Sequence, residues 1–558
     1  MSSGASRMNN APLLEVRNLT VGFHIAGGFV KAVDDVSFDV HRGETLAILG
    51  ESGSGKSVSA MTMMGLIDVP PGQILAGQVR FDGRDVLGMD KAAKRELNGK
   101  RIAMIFQDPL AHLNPVYSVG WQIAETFRVH HEVPPEGAAA EAVRLLERVG
   151  IPNAAERAQQ YPHEFSGGQR QRIMIAMALA LRPELLIADE PTTALDVTIQ
   201  AQILQLLRSL QQEMGMSVIM ITHDLKVAAS VADRLVVMYR GKVVESGDVR
   251  AVFDNPQHAY TKRLFAAAVG SEGAAADHRS PANNGAPLLS IRDLAKTYVV
   301  PSRGLFSKLR EVPAVRGVSI DIKTGETVGL VGESGSGKST VARVLLRLNE
   351  PTSGSATYKG TDIFKMSNHD LFLHRRNIQM IFQDPYASLN PRMTIGQIIA
   401  EPWTIHRDLV PRAQWNDRVG DLLEMVGLDP DFRDRHPHQF SGGQRQRVAI
   451  ARALASEPEL IICDEAVSAL DVSIQAQIIE LLARLRDKMG LAYLFITHDL
   501  PLVRNFADRI VVMKGGEVVE QGDARSIFGA PEHPYTQQLL AAIPRPRWET
   551  AANSDFAG

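Results

Sequence analysis

Short apolar runs alternate with amphipathic stretches along this chain. "ETLAIL", just before Gly50, and "ELLIADE", from Glu184, read as strands. In "TALDVTIQAQILQLLRSL" the residues Ile199, Ile203, Leu206 and Leu210 fall at helical spacing, which predicts one buried helix face. Alternating strands and helices imply α/β layers around a mainly parallel sheet. The stretch between "QDP" and "SGGQ" is helix-rich, with "AEAVRLLERVG" from Ala140 and "DRVGDLLEMVG" from Asp417. It is expected to form an inserted helical subdomain.

The whole pattern is written twice. "APLLEVRNLTVGF" from Ala11 is answered by "APLLSIRDLAKTY" from Ala286, "IAMIFQDPLAHLNP" from Ile102 by "IQMIFQDPYASLNP" from Ile378, and "EFSGGQRQR" from Glu164 by "QFSGGQRQR" from Gln439. So long a period indicates duplicated domains, unlike the short periods of solenoids and propellers. The first domain is expected over 11–270 with a C-terminal tail at 250–270, and the second over 287–545 with a tail at 525–545. Between them, 271–286 is rich in Gly, Ala, Ser, Asn and Pro and reads as a flexible linker. The second copy adds "PSRGLFSKLREVP" from Pro301, read as a solvated hairpin loop rather than a membrane or partner contact.

Composition narrows the setting. Hydrophobic residues make up 45% and charged residues 22% of 558, ordinary for globular domains. The net charge of -3 gives no global basic field for nucleic acid. No apolar run approaches the length of a membrane helix, and the first residues, "MSSGASRMNNAP", do not read as a secretory signal. A single cysteine, Cys463, allows no internal disulfide; it reads as a buried hydrophobe in a cytoplasmic protein.

The candidate chemistry sits at strand ends. Gly50, Gly53, Ser54, Gly55, Lys56 and Ser57 fit a phosphate-binding loop between a strand and a helix, and Gly332, Gly335, Ser336, Gly337, Lys338 and Ser339 repeat it. Glycines let backbone N–H groups converge on phosphate at a helix N-terminus. Lys56 and Lys338 are expected to reach the β- and γ-phosphates, and the Ser57 and Ser339 hydroxyls to coordinate Mg²⁺. Downstream, apolar strands end in Asp189–Glu190 and Asp464–Glu465. Acids at the tip of a buried strand call for a cation or a reaction. Asp189 and Asp464 are expected in the Mg²⁺ shell; Glu190 and Glu465 are expected to polarise an attacking water.

With both phosphate loops, both acid pairs and "SGGQ" at Ser166 and Ser441, the chain resembles the nucleotide-binding subunits of ABC transporters almost end to end. The resemblance implies two tandem P-loop ATPase domains, each a RecA-like α/β core with an antiparallel β subdomain and an inserted helical subdomain. It also implies head-to-tail pairing, with each ATP shared by one copy's phosphate loop and the other's signature. One site would then join Lys56, Ser57, Gln107, Asp189, Glu190 and His223 with Ser441, Gly442, Gly443 and Gln444. Its counterpart would join Lys338, Ser339, Gln383, Asp464, Glu465 and His498 with Ser166, Gly167, Gly168 and Gln169. Gln107 and Gln383 would complete the catalytic and Mg²⁺ sets, His223 and His498 would sense the γ-phosphate, and Phe23 and Tyr298 would stack on adenine, with a core role for these strand-end aromatics as the alternative. Both sets are intact, so two hydrolytic sites are expected; Ala466, where the first copy has Pro191, leaves the acids untouched.

Each copy ends in Pro-x-His-x-Tyr-Thr, at Pro256, His258, Tyr260 and Thr261 and at Pro531, His533, Tyr535 and Thr536. A helix start accounts for the local pattern, with Pro in the first turn and Tyr packed below it. The repeated element and "SLNPRMTIGQIIAEP" from Ser388 also resemble the di- and oligopeptide and nickel importer branch. An iron-sulfur cysteine cluster, which some subunits of that branch carry, is excluded by the lone Cys463. The resemblance implies two transmembrane permease subunits and a solute-binding protein as partners, no nucleic acid, and a peripheral place on the cytoplasmic face of a bacterial inner membrane. The solute is expected to be a peptide, with glutathione, opines, sugars or nickel as alternatives. A soluble tandem ATPase acting on ribosomes or nucleic acid is the competing reading; the short neutral linker and the paired tails argue against it.

Overall fold

The computed structural model describes residues 11–25, 27–130, 134–193, 195–273, 286–301, 309–468 and 470–549. Contacts divide these described residues into two compact units, one lying within the spans Met1–Leu195, Ile199–Ala266 and Pro544–Gly558, the other within Asp196–Thr198 and Ala267–Ile543.

The first unit is organised by a six-stranded sheet in the order 242–248, 234–239, 45–49, 217–222, 185–189, 102–105. All neighbours are parallel except the 234–239 and 242–248 pair. The strands Thr45–Leu49, Leu185–Asp189 and Ser217–Thr222 are buried at every position. Burial on both faces removes any need for polar alternation, which is why they read as continuous apolar runs. A second, four-stranded antiparallel sheet orders its strands 28–40, 14–25, 72–81, 84–85.

The second unit repeats both sheets. Its six-stranded sheet runs 378–381, 460–464, 492–497, 327–331, 509–514, 517–523, and its four-stranded sheet 309–322, 289–301, 353–358, 361–362. The two strands flanking the inserted hairpin pair out to Pro301 and Leu309, so the segment lengthens a β-hairpin; 302–308 lie outside the described residues.

Each unit has a second core among helices. In the first, Val119–Val129, Pro135–Arg148 and Gly167–Ala178 pack around Ile123, Leu146 and Ile173. In the second, Ile395–Ile405, Trp415–Met425 and Gly442–Leu454 enclose Trp403, which is 1% exposed and donates its Nε1 to the Ala455 carbonyl at 2.7 Å. These are the helix-rich insertions that the sequence places between "QDP" and "SGGQ".

Two details differ from the sequence reading. On helix Val197–Met214 the buried stripe runs through Ile203, Leu204, Leu207 and Leu210, while Ile199 and Leu206 stay half-exposed at its edge. The spacing is helical, but the packing is centred between the chosen positions. Helix Ala259–Gly273 extends three residues into the segment read as linker, whose residues 274–285 lie outside the described residues. Among the described residues no helix is long and apolar enough to cross a membrane.

Candidate nucleotide site

Parallel strands point their carboxyl ends to one edge of a sheet, and this is where the candidate residues gather. In the first unit Leu49 pairs with Thr222, Asp189 with Ile221, and Ile105 with Ala188. The residues just beyond these ends are Gly50, His223, Glu190 and Gln107. Three of them meet at one carboxylate oxygen: Glu190 Oε2 accepts from Gln107 Nε2 at 2.9 Å and lies 3.2 Å from His223 Nδ1. Thr193 Oγ1 donates to the same oxygen at 2.9 Å. In the second unit Gln383 Nε2 donates to Glu465 Oε2 at 2.7 Å, while His498 Nδ1 lies 3.2 Å from Oε1. Ser468, which stands at the Thr193 position, turns instead to the Glu465 carbonyl at 3.0 Å.

Glu190 and Glu465 hold φ values of 47° and 49°, a left-handed conformation that costs energy for a residue with a side chain. Each is held there by its own N–H, bonded at 2.9 Å to the carbonyl of Ile221 or Ile496 on the neighbouring strand. The turn swings the carboxylate to the sheet edge. Burial raises the pKa of both glutamates, but the histidine hydrogen bond and charge outweigh it and leave both lowered, so both are ionised at neutral pH. Burial likewise acts to lower the pKa of His498, yet the Glu465 hydrogen bond and charge leave it raised.

The phosphate loops are built alike. Lys56 Nζ is drawn back onto the carbonyls of Gly50 at 2.6 Å and Glu51 at 2.9 Å; Lys338 Nζ takes those of Gly332 and Glu333, both at 2.7 Å. Burial lowers the Lys338 pKa, opposed by the charges of Glu465 and Asp464. A buried ammonium facing a glycine turn is suited to a polyanion. The glycines are required by space: a Cβ at Gly50 would lie 2.3 Å from the Met238 carbonyl oxygen, and one at Gly337, where φ is 103°, would lie 2.4 Å from that of Ala314. At Gly53 and Gly335 the Cβ direction is open. Ser54 Oγ is buried without a hydrogen-bond partner, whereas Ser336 Oγ accepts from Lys338 Nζ at 3.3 Å.

The residues expected around Mg²⁺ fit a cation. Ser339 Oγ donates to Asp464 Oδ1 at 2.7 Å, and Ser57 is hydrogen-bonded to Asp189. Asp189 Oδ1 is buried with no hydrogen-bond partner. Burial, and secondarily the neighbouring glutamate, raises the pKa of both aspartates, a penalty that a hard cation would remove.

At the signatures, Ser166 and Ser441 cap the helices Gly167–Ala178 and Gly442–Leu454. Gln169 and Gln444 return a side-chain oxygen to the serine N–H at 3.2 and 3.0 Å. The first signature glycines, Gly167 and Gly442, begin these helices; a Cβ at the second ones, Gly168 and Gly443, would lie 2.5 Å from Ile199 and Ile474 respectively. Phe23 sits on strand Leu14–Ile25, partly buried against the core of the antiparallel sheet; the Tyr298 hydroxyl accepts from Asn349 Nδ2 at 2.9 Å. Thr193 was not among the residues singled out in the sequence, and the change to Ser468 in the other copy was the only local signal for it.

The chain is similar to known proteins along both of its copies. The ABC transporter family matches residues 33–193 and 315–468, and the oligopeptide/dipeptide transporter C-terminal region matches 244–290 and 519–555. A glutathione import ATP-binding protein of Salmonella choleraesuis is 49% identical over 97% of this chain and 91% of its own length. One of Escherichia coli O157:H7 is 50% identical over 95% of this chain and 89% of its own length. The solved structure of cbiO1 from Clostridium perfringens, part of an ABC transporter complex, is 28% identical, covers 44% of this chain and 92% of that one, and has a TM-score of 0.39. With family matches spanning both copies and relatives about half identical over nearly the whole chain, this protein belongs to the ABC transporter family as an ATP-hydrolysing subunit of the oligopeptide and dipeptide branch.

Proposed function

We propose that this chain energises import of glutathione or a closely related small peptide. It would serve two membrane permeases supplied by a solute-binding protein, from the cytoplasmic face of a bacterial inner membrane. The observation that carries this is the pair of complete loop, acid, glutamine and histidine sets, in a chain whose relatives are glutathione import ATP-binding proteins. The oligopeptide/dipeptide region behind each copy favours import over a soluble role on ribosomes or nucleic acid.

In this reading each ATP is shared between one copy's phosphate loop and the other copy's signature, and nucleotide drives closure while hydrolysis permits reopening. Lys56 and Lys338 leave their loop carbonyls for the phosphates. Ser57, Asp189 and Gln107 would hold Mg²⁺ in one site, and Ser339, Asp464 and Gln383 in the other. When bound, that ion neutralises charge on the phosphates. Glu190 and Glu465, kept ionised, accept the proton of the attacking water, and His223 and His498 orient them. Phe23 and Tyr298 would stack on adenine. The domain limits 11–270 and 287–545, joined through 271–286, belong to the same proposal.

The test is uptake of labelled glutathione by cells lacking their own importer and supplied with this chain and its permeases. ATP-dependent uptake that disappears with Glu190→Gln plus Glu465→Gln supports the reading. Uptake of dipeptides but not glutathione would correct the solute.

A further inference from the structure

The Pro-x-His-x-Tyr-Thr element that closes each copy does more than start a helix. In the first unit, the Glu51 N–H of the phosphate loop donates to the Tyr260 hydroxyl at 3.1 Å. In the second, the Glu333 N–H donates to the Tyr535 hydroxyl at 3.2 Å. Both tyrosines are 3% exposed. Both copies within the chain thus bring a residue more than 200 positions downstream to the equivalent amide of the phosphate loop.

How the tyrosine is held explains the rest of the motif. Glu245 accepts from the N–H groups of Gln257 at 2.7 Å and His258 at 3.0 Å, and His258 Nδ1 accepts from the Tyr260 N–H at 3.2 Å. Glu520 accepts from Glu532 at 2.8 Å and His533 at 3.2 Å, and His533 Nδ1 from the Tyr535 N–H at 3.1 Å. The glutamate anchors the chain, and the histidine caps the helix that presents the tyrosine.

The rings are secured by different means. Tyr260 stacks on Tyr239 with centroids 4.2 Å apart, whereas Lys514, the counterpart of Tyr239, places its ammonium 4.5 Å over the Tyr535 ring. What both copies keep is the hydroxyl-to-amide bond, so the hydroxyl rather than ring packing is the shared element.

Its target matters. The carbonyl of Glu51 is one of the two that hold Lys56 Nζ, and the carbonyl of Glu333 does the same for Lys338. The tyrosine therefore fixes the N–H of a residue whose C=O holds the phosphate-binding lysine. The same C-terminal half fixes the loop once more: Gly241 N–H bonds the Ser54 carbonyl at 3.1 Å, and Gly516 N–H that of Ser336 at 3.0 Å.

We propose that Tyr260 and Tyr535 are positioning residues for ATP: each uses its hydroxyl to set the phosphate loop of its own copy in the nucleotide-ready shape before the nucleotide arrives. Preorganisation of this kind should appear in affinity and not in the chemical step. It rests on the chain being an ATPase, which wild-type turnover checks separately.

The experiment uses the full-length chain with Tyr260→Phe, Tyr535→Phe and both, alongside Tyr260→Leu. Phenylalanine keeps the ring and removes the acceptor of the loop N–H. We expect each affected site to bind radiolabelled ATP roughly two- to tenfold more weakly, the size of one neutral hydrogen bond. KM should rise to match, with kcat and melting temperature nearly unchanged, and the Glu51 or Glu333 amide should exchange its hydrogen faster without nucleotide. Tyr260→Leu should lose melting temperature as well. Wild-type KM and amide exchange in the phenylalanine variants would overturn the proposal. So would a fall in melting temperature with unchanged KM, since that is what a purely structural tyrosine gives.

Discussion

Gln383 donates its side-chain amide to the Glu465 carboxylate across 2.7 Å, joining the ends of two parallel strands at the edge where nucleotide chemistry is expected. Gln107 and Glu190 repeat the bond at 2.9 Å. The link places a residue at the entrance of the helical insertion in direct contact with the group assigned to water activation. A change in either is therefore felt by the other.

The first prediction concerns the carboxylate. Glu190→Gln and Glu465→Gln keep the shape of the site but remove the base. Each should reduce phosphate release, and together they should lower it by roughly 10² or more while ATP binding persists. Wild-type turnover in the double variant would refute the assignment of these residues.

Glu465 and His498 form a pair with a definite pH signature. Burial lowers the His498 pKa, and the hydrogen bond and charge of Glu465 more than reverse this. Because the folded imidazole pKa is raised, its stabilising contribution is complete below the unfolded value and lost as pH rises through the folded one. Because the Glu465 pKa is lowered, its contribution is present above the unfolded carboxyl value and lost as pH falls through the folded one. The pair therefore stabilises most between those limits. In Glu465→Gln burial and the Lys338 charge act against Asp499 alone, so the His498 resonance should titrate at a lower pH than in the unaltered chain. An unchanged NMR titration curve would remove Glu465 as the cause.

The hydroxyl of Ser339 bonded to Asp464 makes a metal prediction. Asp464→Asn removes the charge that would hold Mg²⁺ without altering the packing of a fully buried strand. The Mg²⁺ concentration for half-maximal turnover should rise roughly tenfold or more, and chelation should stop wild-type turnover. An unshifted Mg²⁺ titration would place the ion elsewhere.

Gly337→Ala tests the loop backbone. The new methyl would lie 2.4 Å from the Ala314 carbonyl oxygen at a φ of 103°, so the loop must move or carry strain of about 1–3 kcal/mol. Nucleotide binding at that loop should be lost, read by labelled ATP. Gly335→Ala meets open space at a φ of 80° and carries the backbone strain without the clash, so it should be milder.

In the second helical core, Trp403→Ala removes a side chain 1% exposed together with its hydrogen bond to the Ala455 carbonyl. A loss of roughly 3–5 kcal/mol is expected in denaturant unfolding. A loss under about 1 kcal/mol would mean that the cavity collapses freely.

The sequence by itself determined the elements that depend on local order. The buried strands, the glycine turns with their lysines, the acid pairs, the signatures and the duplication are each spelled by neighbouring residues whose spacing states the backbone they need. What only the tertiary structure decided are meetings of distant residues. Gln107 with Glu190, His498 with Glu465, the left-handed turn at both glutamates, and Tyr260 and Tyr535 on the loop amides all depend on strand register and sheet order. The stripe on helix Val197–Met214 was shifted for the same reason, because a helical period fixes spacing but the facing sheet selects which side is buried. Local patterns are written in consecutive residues; contacts between strand ends follow from how the sheet aligns them, and no single stretch of chain carries that alignment.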